Sequence, residues 1–194
     1  MAFLSYNLLG LITPLEILYL IIVTAVIGYI FTGYVSIRPK TVYNMMHPNR
    51  VDLRDFYFAT LVAAPGIIIH ELAHKLTAIS FGYPAQFQVW TFGLVLAIFL
   101  KLISSPLMII APGYVNIPDI SNSFQYRLIA FVGPAVNLLL WLVSAAILKY
   151  AHNLSRKQLA FLALTKRINM ILFIFNMIPI GPLDGAKVFF GPSS

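Results

Sequence analysis

One stretch of this chain constrains the fold more than any other. From Phe56 to about Phe81 the residues are apolar and numerous enough to cross a membrane as a helix, yet His70, Glu71, His74 and Lys75 lie among them. An isolated charge at the centre of a span costs on the order of 2.5 to 3.5 kcal/mol. Four ionisable groups in one span therefore demand a purpose. Composition decides that a membrane is the setting. The chain has 194 residues, 60% of them hydrophobic and 10% charged, where a soluble domain carries about 25% charged residues. A compact soluble core of this size could not hide so much apolar surface.

The sequence reads as an all-α polytopic membrane protein, a multi-span helical bundle. A first span runs from about Leu15 to Ile37, with no basic stretch before it and too long for a secretory signal, so it is expected to be retained. Glu16 at its edge is expected among the lipid headgroups. Residues 38–55 form the most polar stretch, a loop at a membrane surface. The span that follows is interrupted by Ala63-Ala64-Pro65-Gly66 and ends at Gly82-Tyr83-Pro84. Gln86 to Trp90 alternates polar and apolar residues with a period of two, a strand signal, and Tyr114 to Ile117 reads as a second strand-like piece. Between them the apolar stretch from Thr91 to Ile110 is broken by Lys101 and Ser104-Ser105-Pro106. The whole segment reads as a short re-entrant or β-like excursion between the His-bearing helix and the later spans. Those spans are Leu128–Leu148 and Leu159–Ile178, joined by a basic link containing Lys149, His152, Arg156 and Lys157. Lys166 and Arg167 in the second are expected to line a wet interhelical face. The division is residues 1–55, an N-terminal transmembrane helix and polar loop, and 56–194, a core. The stop at Ser194 is abrupt, as in a truncated chain.

The formal charge of +7 does not point to nucleic acid. Its basic residues are scattered between apolar runs, where topology and contact with anionic lipid explain them. With no cysteine, a disulfide scaffold, a thiolate metal site and a cysteine nucleophile are all excluded, and any metal must use nitrogen and oxygen. The donors are then four histidines (47, 70, 74, 152) and six acids: Glu16, Asp52, Asp55, Glu71, Asp119 and Asp184.

His70-Glu71-Leu72-Ala73-His74 is an HExxH motif. One helical turn separates the histidines, so both imidazoles reach one ion from the same face, and Glu71 sits one residue round from the first. Tetrahedral Zn²⁺ suits neutral imidazole, and an open fourth position leaves a bound water with a pKa near ~7. Elimination narrows the third ligand. His47, Asp52 and Asp55 belong to the preceding loop, His152 to a distant one and Glu16 to another helix, leaving Asp119 and Asp184. Asp184 follows a proline-broken helix end, where exposed backbone is tolerated only against protein or a wet cavity. Zn²⁺, two neutral histidines, Asp184 and Glu71 also sum to zero charge. An ordinary Asp-Gly turn remains the alternative for Asp184.

These residues carry a resemblance. HELAH in a span, Gly133-Pro134-Ala135-Val136-Asn137 at the head of a later one, and Asn176-Met177-Ile178-Pro179 leading to Leu183-Asp184-Gly185 resemble, in order, the three motifs of the site-2 protease family of intramembrane zinc metalloproteases. The match covers roughly residues 56–190. It implies one Zn²⁺ per chain held by His70, His74 and Asp184, with Glu71 as catalytic base and Asn176 in substrate or transition-state contacts. Asn137 either helps in the same way or makes an interhelical hydrogen bond. Gly133-Pro134 is expected to shape the start of its span. Lys75, beside the second histidine, either tunes the site or else snorkels or pairs with a carboxylate. Many family members carry a PDZ-like or nucleotide-sensing domain, for which this chain has no room, and residues 91–110 are longer and more apolar than the compact β excursion such a protein would have.

The implied function is hydrolysis of peptide bonds within or beside transmembrane segments of membrane-protein substrates, with the lipid bilayer as setting, no nucleic acid, and the oligomeric state left open. The alternatives are a metal-binding membrane transporter, which the base-positioned Glu71 disfavours, and a non-proteolytic relative. Ligand closure also constrains topology. If HELAH lies late in its span and Asp184 just past another, an even number of crossings must separate them, so 91–110 should re-enter, or cross twice, rather than span once. The resemblance places the active site towards the cytoplasm. That assigns Arg38, Lys40, Arg50, Arg54, Lys149, Arg156 and Lys157 to the outer side, against the positive-inside tendency.

Overall fold

Capping side chains fix where the helices begin. Thr13 accepts from the Glu16 N–H and Glu16 returns the bond to the Thr13 N–H, a reciprocal box that starts α1 (Pro14–Phe31) with proline in its first turn. Asp52 caps α2 (Leu53–Ser80), Asn122 caps α4 (Ser123–Tyr150), and a Ser155–Gln158 box opens α5 (Arg156–Asn176). The computed structural model describes residues 11–32, 46, 52–105, 113–117, 120 and 122–191. Among these, β1 (Gln86–Val89), α3 (Thr91–Leu102), β2 (Gly113–Asn116) and α6 (Asp184–Phe190) complete the elements. Helices α1, α2, α4 and α5 are each long and apolar enough to cross a membrane.

The caps explain where the sequence reading of the spans falls short. Apolar content alone places the last two at 128–148 and 159–178, but Asn122 and Ser155 start them at Ser123 and Arg156. Lys149 therefore lies within α4, and Arg156 and Lys157 within α5. Neither Pro65 nor Pro134 breaks its helix; Pro134 is fully buried among its neighbours, whereas Pro65 lies exposed on the outer side of α2, and spans tolerate proline where the freed backbone groups find other partners. Gly133-Pro134 accordingly lies in the interior of α4, not at its start. The expected loop at 38–55 falls outside the described residues except for Met46 and the stretch from Asp52 onward. Pro106 to Pro112 and the candidate donors His47 and Asp119 also lie outside them.

The apolar core forms where α1 lies along α2, with Val23, Ile27, Ala59, Val62, Ala63 and Ile67 buried together and joined by Phe87 and Leu94. The two helices run antiparallel: Glu16 meets Lys75 at one end and Gly28 meets Phe56 and Thr60 at the other. Helix α4 packs on the far side of α2, and α5 on α4. Strands β1 and β2 pair antiparallel, Gln86 opposite Asn116 and Val89 opposite Gly113. The chain thus leaves β1 and returns in β2 at one edge, as an excursion does. Helix α3 fills the outgoing half, and Lys101 near its end donates to the Thr32 carbonyl at the far end of α1.

Glu16 is not at the headgroups. It is buried, ion-paired to Lys75, and accepts the Phe87 N–H at 2.7 Å, so one carboxylate ties α1, α2 and β1 together. Lys75 thereby takes the carboxylate-pairing role. Removing one partner of a buried pair leaves the other charge uncompensated, so Lys75→Met should destabilise the protein by about 3 to 5 kcal/mol. The double variant Glu16→Gln/Lys75→Met, which keeps an acceptor for Phe87, should recover most of that loss. Denaturant unfolding in detergent micelles reads both; an unchanged midpoint for Lys75→Met contradicts the assignment.

Candidate metal centre

His70 and His74 stand one turn apart on the face of α2 that meets α4. They lie 10 and 6 residues before the end of that helix, roughly 15 and 9 Å along its axis. The third member arrives from the other end of the sequence. After α5 stops at Asn176, the chain turns through Pro179 and Pro182 and begins α6 at Asp184, whose carboxylate is buried against the histidines. Helices α4 and α5 supply the two crossings that ligand closure requires.

Three atoms converge. His70 Nε2 and His74 Nε2 are 3.1 Å apart, and Asp184 Oδ2 is 3.1 Å from the first and 3.2 Å from the second. This near-equilateral triangle matches the edge of a zinc tetrahedron. Bonds of 2.0 to 2.1 Å at tetrahedral angles place donor atoms about 3.3 Å from one another. His70, His74 and Asp184 are the group of metal-competent side chains found among the described residues.

The far side of each ring explains what the near side can do. His74 Nδ1 donates to the Ile129 carbonyl at 2.6 Å. His70 Nδ1 donates to Asn137 Oδ1, also at 2.6 Å. The amide orientation is fixed because Asn137 Nδ2 donates to the Gly66 carbonyl at 3.1 Å and to Asn169 Oδ1 at 2.9 Å. With Nδ1 carrying the proton in both neutral rings, each Nε2 presents a lone pair to the other and to the carboxylate. A single proton relieves one of the three contacts; a cation at the centre relieves all of them. The other oxygen of Asp184 lies 3.6 Å from Lys187 Nζ.

Two glycines make the approach possible. A Cβ on Gly133 would sit 2.8 Å from His70 Nε2 and closer still to His74, filling the place where the donor atoms meet. A Cβ on Gly66 would lie 2.6 Å from Asn169 Oδ1. Gly133 thus clears the cluster instead of shaping a helix start.

Other expected residues are placed differently. Glu71 is half-buried, with His70, Asp184 and Lys187 as its electrostatic neighbours. Asn137 takes the interhelical alternative and orients His70 from behind. Asn176 ends α5, half-buried, without a side-chain hydrogen bond among the described residues. His152 is exposed in the α4–α5 link, and Asp52 and Asp55 lie at the opposite end of α2. Asn169 escaped the sequence reading. It is fully buried, accepts from Asn137 and donates to the Thr165 carbonyl at 2.9 Å, extending the support of His70 across α4 to α5. The available signal was an amide side chain inside an apolar span, which needs a partner there.

No protein-family model matches the chain, and no solved structure does. Among curated proteins it is 34% identical over 138 residues to "Putative zinc metalloprotease MJ0611" of Methanocaldococcus jannaschii, covering 69% of each chain. It is 25% identical over 153 residues to "Putative zinc metalloprotease YwhC" of Bacillus subtilis, covering 71% of this chain and 69% of that protein.

The geometry makes a graded forecast for metal binding. Gly133→Ala should abolish stoichiometric zinc in the purified protein while leaving it folded. Asn137→Leu, which removes only the support behind His70, should weaken zinc affinity about 10- to 100-fold. Competition against a chelator of known affinity measures both, and full zinc retention by Gly133→Ala contradicts the placement of the ion.

Proposed function

The chain belongs to the zinc metalloprotease family of these two relatives, and on that premise we propose that it is an intramembrane zinc metalloendopeptidase of the site-2 protease type, cutting peptide bonds within or next to transmembrane segments of membrane-protein substrates. The observation that carries this reading is the triangle of His70, His74 and Asp184, set below the end of an apolar helix that also bears Glu71.

His70 and His74 through Nε2, and Asp184 through Oδ2, would hold one Zn²⁺. That ion would supply Lewis-acid activation of a water and a carbonyl at a depth where neither is otherwise reactive. Glu71, next to the first histidine and facing the same cluster, is the general base: it takes a proton from the attacking water and returns one to the leaving amine nitrogen. Asn137 keeps the His70 ring turned with its lone pair forward, and the Ile129 carbonyl does the same for His74. Asn176, at the end of the helix before the Asp184 turn, contacts the substrate backbone. A helical substrate hides its amides from attack, so cleavage favours segments with helix-breaking residues near the scissile bond.

Substituting Glu71 separates this reading from a metal-binding transporter or a non-proteolytic relative. Glu71→Gln should keep its zinc and lose cleavage of a single-span substrate by about 10²-fold or more, the range of a general base. A variant that cleaves like the parent, or a zinc-loaded parent that cuts none of a panel of membrane substrates, removes the protease assignment.

The same reading carries an orientation, with the metal triangle towards the cytoplasm. Arg54 and the basic residues around the α4–α5 link lie at the other end of the bundle. A reporter fused after Asn153 should therefore read as external; a cytoplasmic reading reverses the orientation and leaves the chemistry unchanged.

A further inference from the structure

Helix α5 is the least buried of the four long helices. Its inner side packs on α4 and α2, and its outward stripe consists of Ala163, Arg167, Ile171 and Ile174, all exposed. The guanidinium in that stripe was expected in a wet interhelical face; it points outward instead. Arg167 lies 11 residues after the start of α5 and nine before its end, about 16 and 14 Å along the axis. Neither Arg167 nor the half-buried Lys166 beside it has an ion pair or hydrogen bond among the described residues. Snorkelling serves basic residues close to helix ends, and this one is far from both. A cation held at that depth on an apolar ridge lacks a counter-charge among the described residues.

We propose that the outward stripe of α5 is a docking face for a transmembrane helix of another protein that carries a carboxylate near mid-depth, with Arg167 as the residue that recognises it. A planar guanidinium suits this role because it meets a carboxylate through two parallel hydrogen bonds, and in hydrocarbon such a pair is shielded from competing water. Ala163 and Ile171, one turn to either side, leave a small-then-branched surface along which a helix can lie.

The occupant is not a second copy of this chain. Of the six acids, Glu16 is bound to Lys75, Asp52 and Asp55 lie at the start of α2, and Glu71 and Asp184 face the histidines. Asp119 lies outside the described residues, in the link between β2 and α4. None of the five described acids is placed to meet Arg167 at mid-span. Lipid headgroups are excluded by depth. The proposal does not depend on proteolysis, since docking is read without cleavage.

The test uses the full chain, donor-labelled, in vesicles of zwitterionic phosphatidylcholine, with an acceptor-labelled Leu/Ala host helix bearing a single central Asp, Asn or Leu. Energy transfer should show the Asp helix associating on the order of tenfold more tightly than the Leu helix. Arg167→Met/Lys166→Met should bring the Asp helix to the Leu level without a change in unfolding midpoint or zinc content, and Arg167→Lys, which keeps the charge but not the planar fork, should retain only part of the preference. Equal association of the Asp and Leu helices overturns the proposal, as does a preference that survives the double substitution. Self-association of the parent that disappears in the double variant overturns it too, by placing a second copy on the stripe.

Discussion

The structure turns on a contact that would be unfavourable if left alone: two imidazole lone pairs and a carboxylate oxygen within 3.2 Å of one another. What makes the contact obligatory is the other side of each ring. The Ile129 carbonyl and Asn137 Oδ1 both take the Nδ1 proton and turn the unprotonated nitrogens inward. Among the described residues no inner group donates a hydrogen to all three atoms. A small cation would accept a lone pair from each, and the triangle has the size of a zinc site.

The remaining architecture reads as the means of building that triangle at depth. Helix α2 supplies two corners because a four-residue spacing returns to one face. The third has to come from the end of another helix, and the antiparallel pair α4–α5 delivers it by crossing twice. Gly133 keeps α4 from filling the centre, and Gly66 lets Asn169 reach Asn137. At the same end of the bundle Glu16 binds α1, α2 and β1 into one unit, so the excursion through α3 returns to where it left. Apolar surroundings make each polar contact matter more, since a group left unpaired there has no water to turn to.

How much of this was legible in the sequence depended on how local each signal is. HExxH was readable because both donors lie within one turn. Asp184 was readable by another route: with no cysteine and only six acids, elimination left two candidates. The first of the paired strands was visible as alternation, the second as a short strand-like piece. What failed were signals that need a partner far along the chain. Glu16 looked like a headgroup residue because Lys75 is 59 positions away. Asn137 and Asn169 are both single amides in apolar runs, and only their meeting across two helices shows that one orients His70 and the other holds the first in place. Span limits slipped for a different reason. Hydropathy does not register a cap, and Asn122 and Ser155 extend their helices past the apolar run.

The most direct test of the account is X-ray absorption at the zinc edge of the purified, detergent-solubilised protein, together with its metal content. One zinc per chain, with a first shell of two imidazole nitrogens and oxygen donors at 2.0 to 2.2 Å, is the predicted result. A protein that remains metal-free when equilibrated with equimolar zinc, or a first shell without histidine, contradicts it.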